Sequence, residues 1–203
     1  MISAVIFDGG GVLIDNAAPG MFSHYASHLG VTEEQFRQVF PKYEIDWAKG
    51  KLTEDSFWEK ITTDLRVKKP RVESLWLDGY LRAYKEKKEM FLLIKNLKHH
   101  GYKVALLTNT EIPIMLHTKK QSWTDFDLFV YSCEIGMRKP DREIYEYTLT
   151  NLSVAPDEAV FIDDREENVE AAQRLGMHSI GFESPSQVVC ELQKMGLDFQ
   201  LPK

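Results

Sequence analysis

The sequence predicts an α/β fold in which the strands of one parallel sheet alternate with helices. Short apolar runs of strand length, rich in β-branched and aromatic residues, occur at 2–7, 103–107, 128–131, 159–162 and 178–182. Each run is followed by polar residues and then by apolar residues at helical spacing. The stretch 16–87 contains no comparable run. We therefore expect a Rossmann-like, three-layer parallel sheet with an inserted α-helical cap.

The first strand is bounded at once by Asp8 and the glycines at 9–11, which indicates a tight loop. Helices of the sheet domain are predicted over 90–100, 142–151 and 166–175. A last helix is predicted to begin at a capping box formed by Ser184 and Gln187, with Pro185 at its first position.

Helix signals also fill the stretch 16–87. Thr32 and Gln35 have the spacing of a capping box, Thr53 precedes an amphipathic segment, and Pro70 interrupts the pattern. We interpret three tryptophans of this stretch as cap core rather than as a substrate platform: Trp47, Trp58 and Trp76. The predicted domains are a core of 1–15 and 88–203 and a cap of 16–87.

Composition excludes several classes of protein. The chain has 203 residues, 43% of them hydrophobic, which is typical of a globular protein and not of a disordered chain. A net charge of −6 disfavours a nucleic-acid partner. No run approaches the roughly 18 apolar residues of a membrane span, and no signal peptide is visible. The two cysteines, Cys133 and Cys190, are expected to be free and reduced, which favours a cytoplasmic location.

Carboxylates follow two of the predicted strands. Asp8 follows the first, and the pair Asp163 and Asp164 follows the fourth. The carboxyl ends of parallel strands meet at one edge of a sheet, so these groups should converge there. Three converging carboxylates repel one another unless a cation joins them, and Mg²⁺ is the hard divalent ion that oxygen ligands favour.

The remaining polar groups at this edge suit a phosphate. Thr108 and Asn109 follow the second strand, and Lys139 lies in the loop after the third. The lysine supplies a point charge and the threonine a hydroxyl donor. Gly9 and Gly10 let backbone N–H groups approach phosphoryl oxygens closely. Together these groups can support phosphoryl transfer through an aspartyl phosphate.

The order and spacing of these residues resemble the haloacid dehalogenase superfamily of hydrolases. The resemblance is carried by four segments, at 5–13, 106–109, 136–145 and 161–172. The helical insertion after the first segment is similar to the cap of the phosphatase-like branch. The resemblance implies hydrolysis of a small phosphate monoester with Mg²⁺ as cofactor, and it favours a sugar phosphate as the small phosphorylated metabolite. We expect a monomer or a homodimer.

The resemblance also implies roles for individual residues. Asp8 would be the nucleophile and a metal ligand, together with the backbone carbonyl of Gly10. Asp164 would bind Mg²⁺ directly, and Asp163 would support it directly or through water. The groups that would hold the phosphoryl group are Gly9, Gly10, Thr108 and Asn109. Lys139 would neutralise the charge shared between Asp8 and the phosphate.

One position departs from the family pattern. Phosphatases of the family usually carry a second Asp two residues after the nucleophile as general acid and base, and here that position is Gly10. Such a group contributes roughly 10²–10⁴-fold in rate. Three interpretations stay open: slow turnover, a proton supplied by Asp15, His24 or His28, or a catalytically silent phosphate-binding protein.

Other interpretations of these residues compete. A dehalogenase of the same superfamily also lacks the second Asp, but it needs no acidic pair. A dinucleotide loop at 9–11 would need a glycine where Ile14 stands. His24 and His28 are spaced as metal ligands but show no third ligand in sequence. No base accompanies Cys133 in sequence, which disfavours a catalytic thiol.

Overall fold

The computed structural model describes residues 1–199, and in them a single sheet of five parallel strands forms the centre. The strands are β1 Ala4–Phe7, β2 Lys103–Thr108, β3 Leu128–Tyr131, β4 Ala159–Asp163 and β5 His178–Gly181. Their order in the sheet is β3-β2-β1-β4-β5. The predicted α/β, Rossmann-like architecture is confirmed. The end of the predicted core domain, residues 200–203, lies outside the described residues.

The register of the sheet aligns the polar strand ends. Phe7 of β1 pairs with Leu106 of β2 and with Ile162 of β4. The next residues of β1 and β4 are therefore Asp8 and Asp163, side by side. The predicted convergence of these carboxylates follows from this register.

Helices cover both faces of the sheet. They are α6 Lys88–His99, α7 Ile112–Thr118, α8 Ser132–Ile135, α9 Arg142–Leu152, α10 Glu166–Arg174 and α11 Pro185–Lys194. Side chains of β1 alternate between the two faces. Val5 and Phe7 belong to a buried cluster with α6 and α11, whereas Ala4 and Ile6 belong to one with α9 and α10. This gives the three layers expected from sequence.

The cap consists of α1 Ala18–Leu29, α2 Glu33–Val39, α3 Pro41–Ala48, α4 Glu54–Leu65 and α5 Leu75–Ala83. The predicted capping box is present, because Thr32 Oγ1 accepts from Gln35 N at 3.2 Å while Thr32 N donates to Gln35 Oε1 at 2.8 Å. Thr53 and Ser74 cap α4 and α5 in the same way through one bond each. The domain bounds at 15/16 and 87/88 stay a prediction.

Aromatic side chains fill the interior of the cap. Trp47, Trp58 and Trp76 are all at most 3% exposed, so their interpretation as cap core is confirmed by burial. Trp47 stacks on Phe57 with ring centroids 4.8 Å apart, and Trp76 stacks on Tyr25 at 4.9 Å. A third, separate apolar cluster therefore stabilises the cap beside the two of the sheet domain.

The structure differs from the predictions at two helix starts. The segment after β3 was expected to be a loop, but Ser132–Ile135 form the short helix α8. Ser184 accepts a hydrogen bond from Gln187 N, yet the Gln187 side chain bonds Glu183 N instead of Ser184 N, so only half of that capping box forms. Within residues 1–199, no helix has both the length and the apolar character needed to cross a membrane.

The contact between α1 and α5 depends on a glycine. A Cβ on Gly79 would lie 2.4 Å from the ring of Tyr25, whose hydroxyl donates to the Trp76 carbonyl at 2.8 Å. At Gly20, on the same interface, an added Cβ would lie 3.4 Å from Ala83 Cβ, an ordinary contact.

We predict that Gly79→Ala destabilises the protein by roughly 1–3 kcal/mol, because the new methyl group displaces a buried ring. Gly20→Ala is the matched control, and it should be neutral or up to about 1 kcal/mol more stable because alanine favours the helix. Urea unfolding followed by tryptophan fluorescence measures both. Equal losses in the two variants would contradict this account of the interface.

Candidate active site

The first site element is the loop that follows β1. Asp8 lies at its start and is 7% exposed, with its N–H donating to the Ile162 carbonyl at 2.9 Å. The Gly9 carbonyl accepts from Leu13 N at 2.8 Å and from Ile14 N at 3.1 Å, which closes the turn. Among residues 1–199, no backbone N–H donates to the Gly10 carbonyl, so this oxygen is available to a ligand.

Lys139 is the buried cation of the site. Its Nζ lies 2.6 Å from Asp8 Oδ1 and 2.6 Å from Asp163 Oδ2, and the residue is 2% exposed. Burial works to lower the pKa of Lys139, but the attraction of Asp8 and Asp163 outweighs it and raises that pKa above its ordinary value. The ammonium therefore stays charged and joins the ends of β1 and β4.

Asn109 holds the loop that carries this lysine. Its Nδ2 donates to the Lys139 carbonyl at 2.8 Å, and its Oδ1 accepts from Lys139 N at 2.9 Å. Both polar ends of the amide are thus engaged by the backbone of Lys139. The side chain of Asn109 therefore positions the lysine, and the phosphate contact expected from sequence stays a prediction.

Asp163 is held from the other side. Its Oδ1 accepts from Arg165 N at 2.9 Å and from Asn168 Nδ2 at 2.9 Å, while its Oδ2 accepts from Lys139. Tyr145 OH in turn donates to the Asn168 carbonyl at 3.1 Å. With both oxygens engaged, Asp163 is better placed to orient its neighbours than to be the principal ligand of an ion.

The carboxylate cluster fits a divalent cation. Oxygens of Asp8, Asp163 and Asp164 all lie within 4.8 Å of one another. Burial raises the pKa of Asp8 to about 6 despite the pull of Lys139, and burial together with Asp163 raises the pKa of Asp164. One ammonium among three carboxylates leaves negative charge uncompensated, and hard oxygen donors of this kind suit Mg²⁺.

Close packing explains two of the three glycines after Asp8. A Cβ on Gly11, whose φ is 88°, would lie 2.1 Å from Asp164 Oδ2, and one on Gly9 would lie 3.0 Å from Thr108 Oγ1. Gly10 is different, because an added Cβ would meet nothing within 4 Å. The position where family phosphatases usually carry their second Asp therefore has room for a side chain.

A cavity of about 260 Å³ lies between the cap and this edge of the sheet. Its sheet-domain wall includes four of the predicted phosphate-binding residues, Gly9, Gly10, Thr108 and Asn109, whereas Lys139 and Asp8 are not part of the lining. The cap contributes residues of α1, α3 and α5 to the opposite wall. A ligand held at Asp8 would extend into this space.

Glu111 is a cavity residue that sequence reasoning missed. It precedes α7, and its Oε2 accepts from the indole Nε1 of Trp76, on the cap, at 2.9 Å. Burial raises the pKa of Glu111 to about 7, with the Trp76 bond acting in the opposite direction. The sequence does show that Glu111 lies three residues after Thr108, at the predicted ligand-binding edge of the sheet. It shows neither the cavity nor the bond to Trp76.

The acid–base candidates from sequence lie elsewhere. Asp15 pairs with Lys87 at 2.6 Å, an arrangement that lowers the pKa of Asp15, and it does not line the cavity. His24 Nε2 lies 2.8 Å from Asp78 Oδ2, and His28 lies beside His24 on the outside of α1. With His24 and His28, Asp78 forms a group of three side chains whose spacing is compatible with a metal ion. Asp78 also accepts a hydrogen bond from Arg82 Nε.

Three contacts dock the cap on the sheet domain. Ser132 Oγ donates to the Ala48 carbonyl at 2.7 Å, and Lys49 Nζ lies 2.8 Å from Asp141 Oδ2. Gly50 has a φ of 69° and lies so close to α8 that a Cβ there would be 2.0 Å from the Cys133 carbonyl oxygen. Cys133 is itself buried, and burial raises the pKa of its thiol to about 12, which leaves no thiolate for catalysis.

Comparison with known proteins identifies a family of hydrolases. The haloacid dehalogenase-like hydrolase family matches residues 2–176. The sesquiterpene phosphatase astK of Aspergillus oryzae is 28% identical over 95% of each chain, and the D-ribitol-5-phosphate phosphatase of Bacteroides thetaiotaomicron is 25% identical over 88% of this chain and 91% of its own. The chain spans only 36% of drimenol cyclase drtB of Aspergillus calidoustus and 19% of acyl-CoA dehydrogenase family member 10 of Mus musculus, which it also matches.

The same fold occurs in a solved structure. A haloacid dehalogenase family enzyme of Bacteroides thetaiotaomicron, in complex with magnesium and inorganic phosphate, superposes with a TM-score of 0.78. It is 24% identical, and the match covers 93% of this chain and 99% of the other. At that identity the likeness concerns the fold.

We predict that Lys139→Met lowers the free energy of unfolding of the metal-free protein by roughly 3–5 kcal/mol, because it leaves Asp8 and Asp163 buried without a cation. Lys49→Met removes a partly exposed lysine from one carboxylate and should cost about 0–1 kcal/mol. Denaturant unfolding at neutral pH in the presence of a chelator compares them. A loss at position 139 no greater than at position 49 would refute a structural role for the buried ammonium.

Proposed function

Because the chain belongs to the haloacid dehalogenase-like hydrolases, we propose that it is a Mg²⁺-dependent phosphatase that hydrolyses a small phosphate monoester through an aspartyl phosphate on Asp8. One observation carries the proposal: Lys139 bridges Asp8 and Asp163 within a three-carboxylate cluster, and Gly9 and Gly10, which follow Asp8, line the cavity.

The residues divide the chemistry among them. Asp8 attacks phosphorus and forms an acyl phosphate as the alcohol leaves, and water then cleaves that bond to release phosphate. Lys139 orients the Asp8 carboxylate through Oδ1 and offsets charge on the phosphoryl oxygens. Thr108 and the backbone of Gly9 and Gly10 hold those oxygens, while Asn109 keeps Lys139 in place.

Asp8, Asp164 and the Gly10 carbonyl would hold Mg²⁺, with Asp163 supporting them. When bound, the ion supplies the charge that lets an anionic carboxylate approach an anionic phosphate. The acidic pair favours this chemistry over a dehalogenase, which has no need of a cation site. A bound cation would also favour the ionised carboxylates of Asp8 and Asp164, whose pKa is raised in the metal-free protein.

In this proposal, Glu111 donates the proton to the leaving alcohol. It lines the same cavity as Gly10 and Thr108, whereas Asp15, His24 and His28 do not. A carboxyl group with a pKa near 7 is suited to donate a proton in the first step and accept one in the second. Turnover then needs no Asp at position 10, and the silent interpretation is disfavoured.

The names of the two phosphatase relatives do not agree on a leaving group. One names a sugar alcohol phosphate, in line with the sugar phosphate favoured by the sequence resemblance, and the other names a sesquiterpene. The proposal at this level is therefore limited to a small phosphate monoester.

We predict that Asp8→Asn lowers kcat for any phosphate monoester by at least about 10³-fold, because the nucleophile is lost. EDTA should abolish wild-type turnover and excess Mg²⁺ should restore it. Asp15→Asn, seven residues away and outside the cavity, is the control and should stay near the wild-type rate. Phosphate release from a panel of phosphorylated metabolites measures all three.

Two results would count against this mechanism. Phosphatase turnover that survives both EDTA and Asp8→Asn would exclude the proposed nucleophile and cofactor. Chelator-resistant activity on a 2-haloacid would identify a dehalogenase.

We predict that Glu111→Gln lowers kcat/KM for alkyl phosphates by roughly 10²–10⁴-fold, because an alkoxide leaves poorly without a proton. A nitrophenyl phosphate, whose leaving group needs little protonation, should be affected far less. The wild-type rate on alkyl phosphates should fall as the pH rises above about 7, where Glu111 loses its proton, and this fall should vanish in the variant.

Gly10→Asp offers an independent check, since position 10 has space for a side chain at the same cavity. In the Glu111→Gln background it should restore part of the rate on alkyl phosphates. An equal loss on nitrophenyl and alkyl phosphates, with no change in the pH profile, would show that Glu111 has only a structural role.

A further inference from the structure

The wall of the cavity beyond the phosphate end is mainly apolar. Its side chains include Ile14, Met21, Phe22, Phe40 and Ile114. All but Phe22 are buried, and Phe22 is half-buried with its ring 5.0 Å from that of Phe40. These residues come from both the cap and the sheet domain, so an apolar surface surrounds the space that the leaving group would occupy.

The polar side chains of the same wall are largely engaged by the protein. Asn16 Oδ1 accepts from Ala18 N at 3.1 Å, and Thr118 Oγ1 donates to the Ile114 carbonyl at 3.0 Å. One carboxylate oxygen of Glu111 accepts from Trp76, which leaves the other for the proposed proton transfer, and Glu44 lies 3.6 Å from Arg138 Nη2. Within residues 1–199, the polar atoms of this wall that have no hydrogen-bond partner include the Tyr80 and Tyr131 hydroxyls and the Trp123 indole N–H, each carried by a largely apolar ring.

This distribution discriminates between leaving groups. A buried hydroxyl without a partner costs about 1–3 kcal/mol, which is roughly 5- to 160-fold in affinity. A methylene group placed on an apolar wall instead gains about fourfold. A sugar or sugar alcohol would place several hydroxyls against a mainly apolar wall that offers them few partners, whereas a hydrocarbon meets suitable contacts along most of it.

We propose that the substrate is a phosphate monoester of an apolar alcohol, with an alkyl, alkenyl or aryl leaving group. The inference rests on the proposed phosphatase function and specifies its substrate class. A volume of about 260 Å³ equals that of about nine liquid water molecules, which limits the enclosed part of the leaving group to a medium-sized hydrocarbon. The single polar atom that this leaving group must present is the ester oxygen, to which Glu111 is the proposed proton donor.

The wild-type enzyme tests the proposal with a matched series. Methyl, propyl and pentyl phosphate differ only in methylene groups, and kcat/KM should rise about fourfold for each until the cavity is full. Pentyl phosphate and ribitol 5-phosphate share a five-carbon chain and differ only in hydroxyls. We expect pentyl phosphate to be preferred by at least about tenfold.

Variants locate the effect in the cavity. Phe22→Ser and Ile114→Ser should each lower the ratio of kcat/KM for pentyl phosphate to that for methyl phosphate by about tenfold. Leu81→Ser changes an exposed leucine of α5 that does not line the cavity, and it should leave the ratio unchanged. Inhibition of the wild type by pentyl- and methylphosphonate gives the same comparison without relying on the folding of a variant.

The outcomes separate this inference from the function on which it rests. No Mg²⁺-dependent turnover of methyl, pentyl or ribitol phosphate would mean that the proposed phosphatase function fails, and the substrate class fails with it. Turnover that needs Mg²⁺ and Asp8, but shows no dependence on chain length or prefers ribitol 5-phosphate, would overturn the apolar leaving group alone.

Discussion

A single buried ammonium, Nζ of Lys139, holds the two central strand ends together. It contacts Asp8 and Asp163 at equal distances of 2.6 Å. The rest of the site is arranged around this contact: Asn109 holds the backbone of the lysine, and Asn168 holds the far side of Asp163. The same charges that hold the strand ends are the ones needed to attack a phosphate.

The cap contributes to the site by enclosing it rather than by supplying the acidic cluster. Its aromatic core positions Trp76, which reaches the sheet domain through Glu111, while Ser132 anchors the end of α3. Both contacts lie at the boundary between two separate apolar clusters. The phosphate end and the leaving-group end therefore have different physical characters: the first is charged and built from strand ends, and the second is apolar and shared with the cap.

Sequence reasoning reached the strands and the carboxylate cluster because these are local signals: a buried strand followed at once by polar residues and glycines. Parallel pairing then forces Asp8 and Asp163 together without further information. Glu111 was missed because its environment depends on a tryptophan 35 positions earlier, in another domain. The bonds between the Asn109 side chain and the Lys139 backbone were out of reach for a related reason, since only the folded chain brings these two segments together. The preferred leaving group could not be predicted from sequence, because the apolar wall combines residues from distant segments.

The central claim is that the three carboxylates around Lys139 form one cation site. Calorimetric titration of the metal-free protein with Mg²⁺ tests this claim most directly. The wild type should bind a single Mg²⁺ per chain, and Asp164→Asn should weaken that binding at least about tenfold while leaving the fold intact. Asp157→Asn, which removes the same charge from an exposed turn, should bind as the wild type does. Equal affinity in all three proteins, or no binding to any of them, would contradict the site.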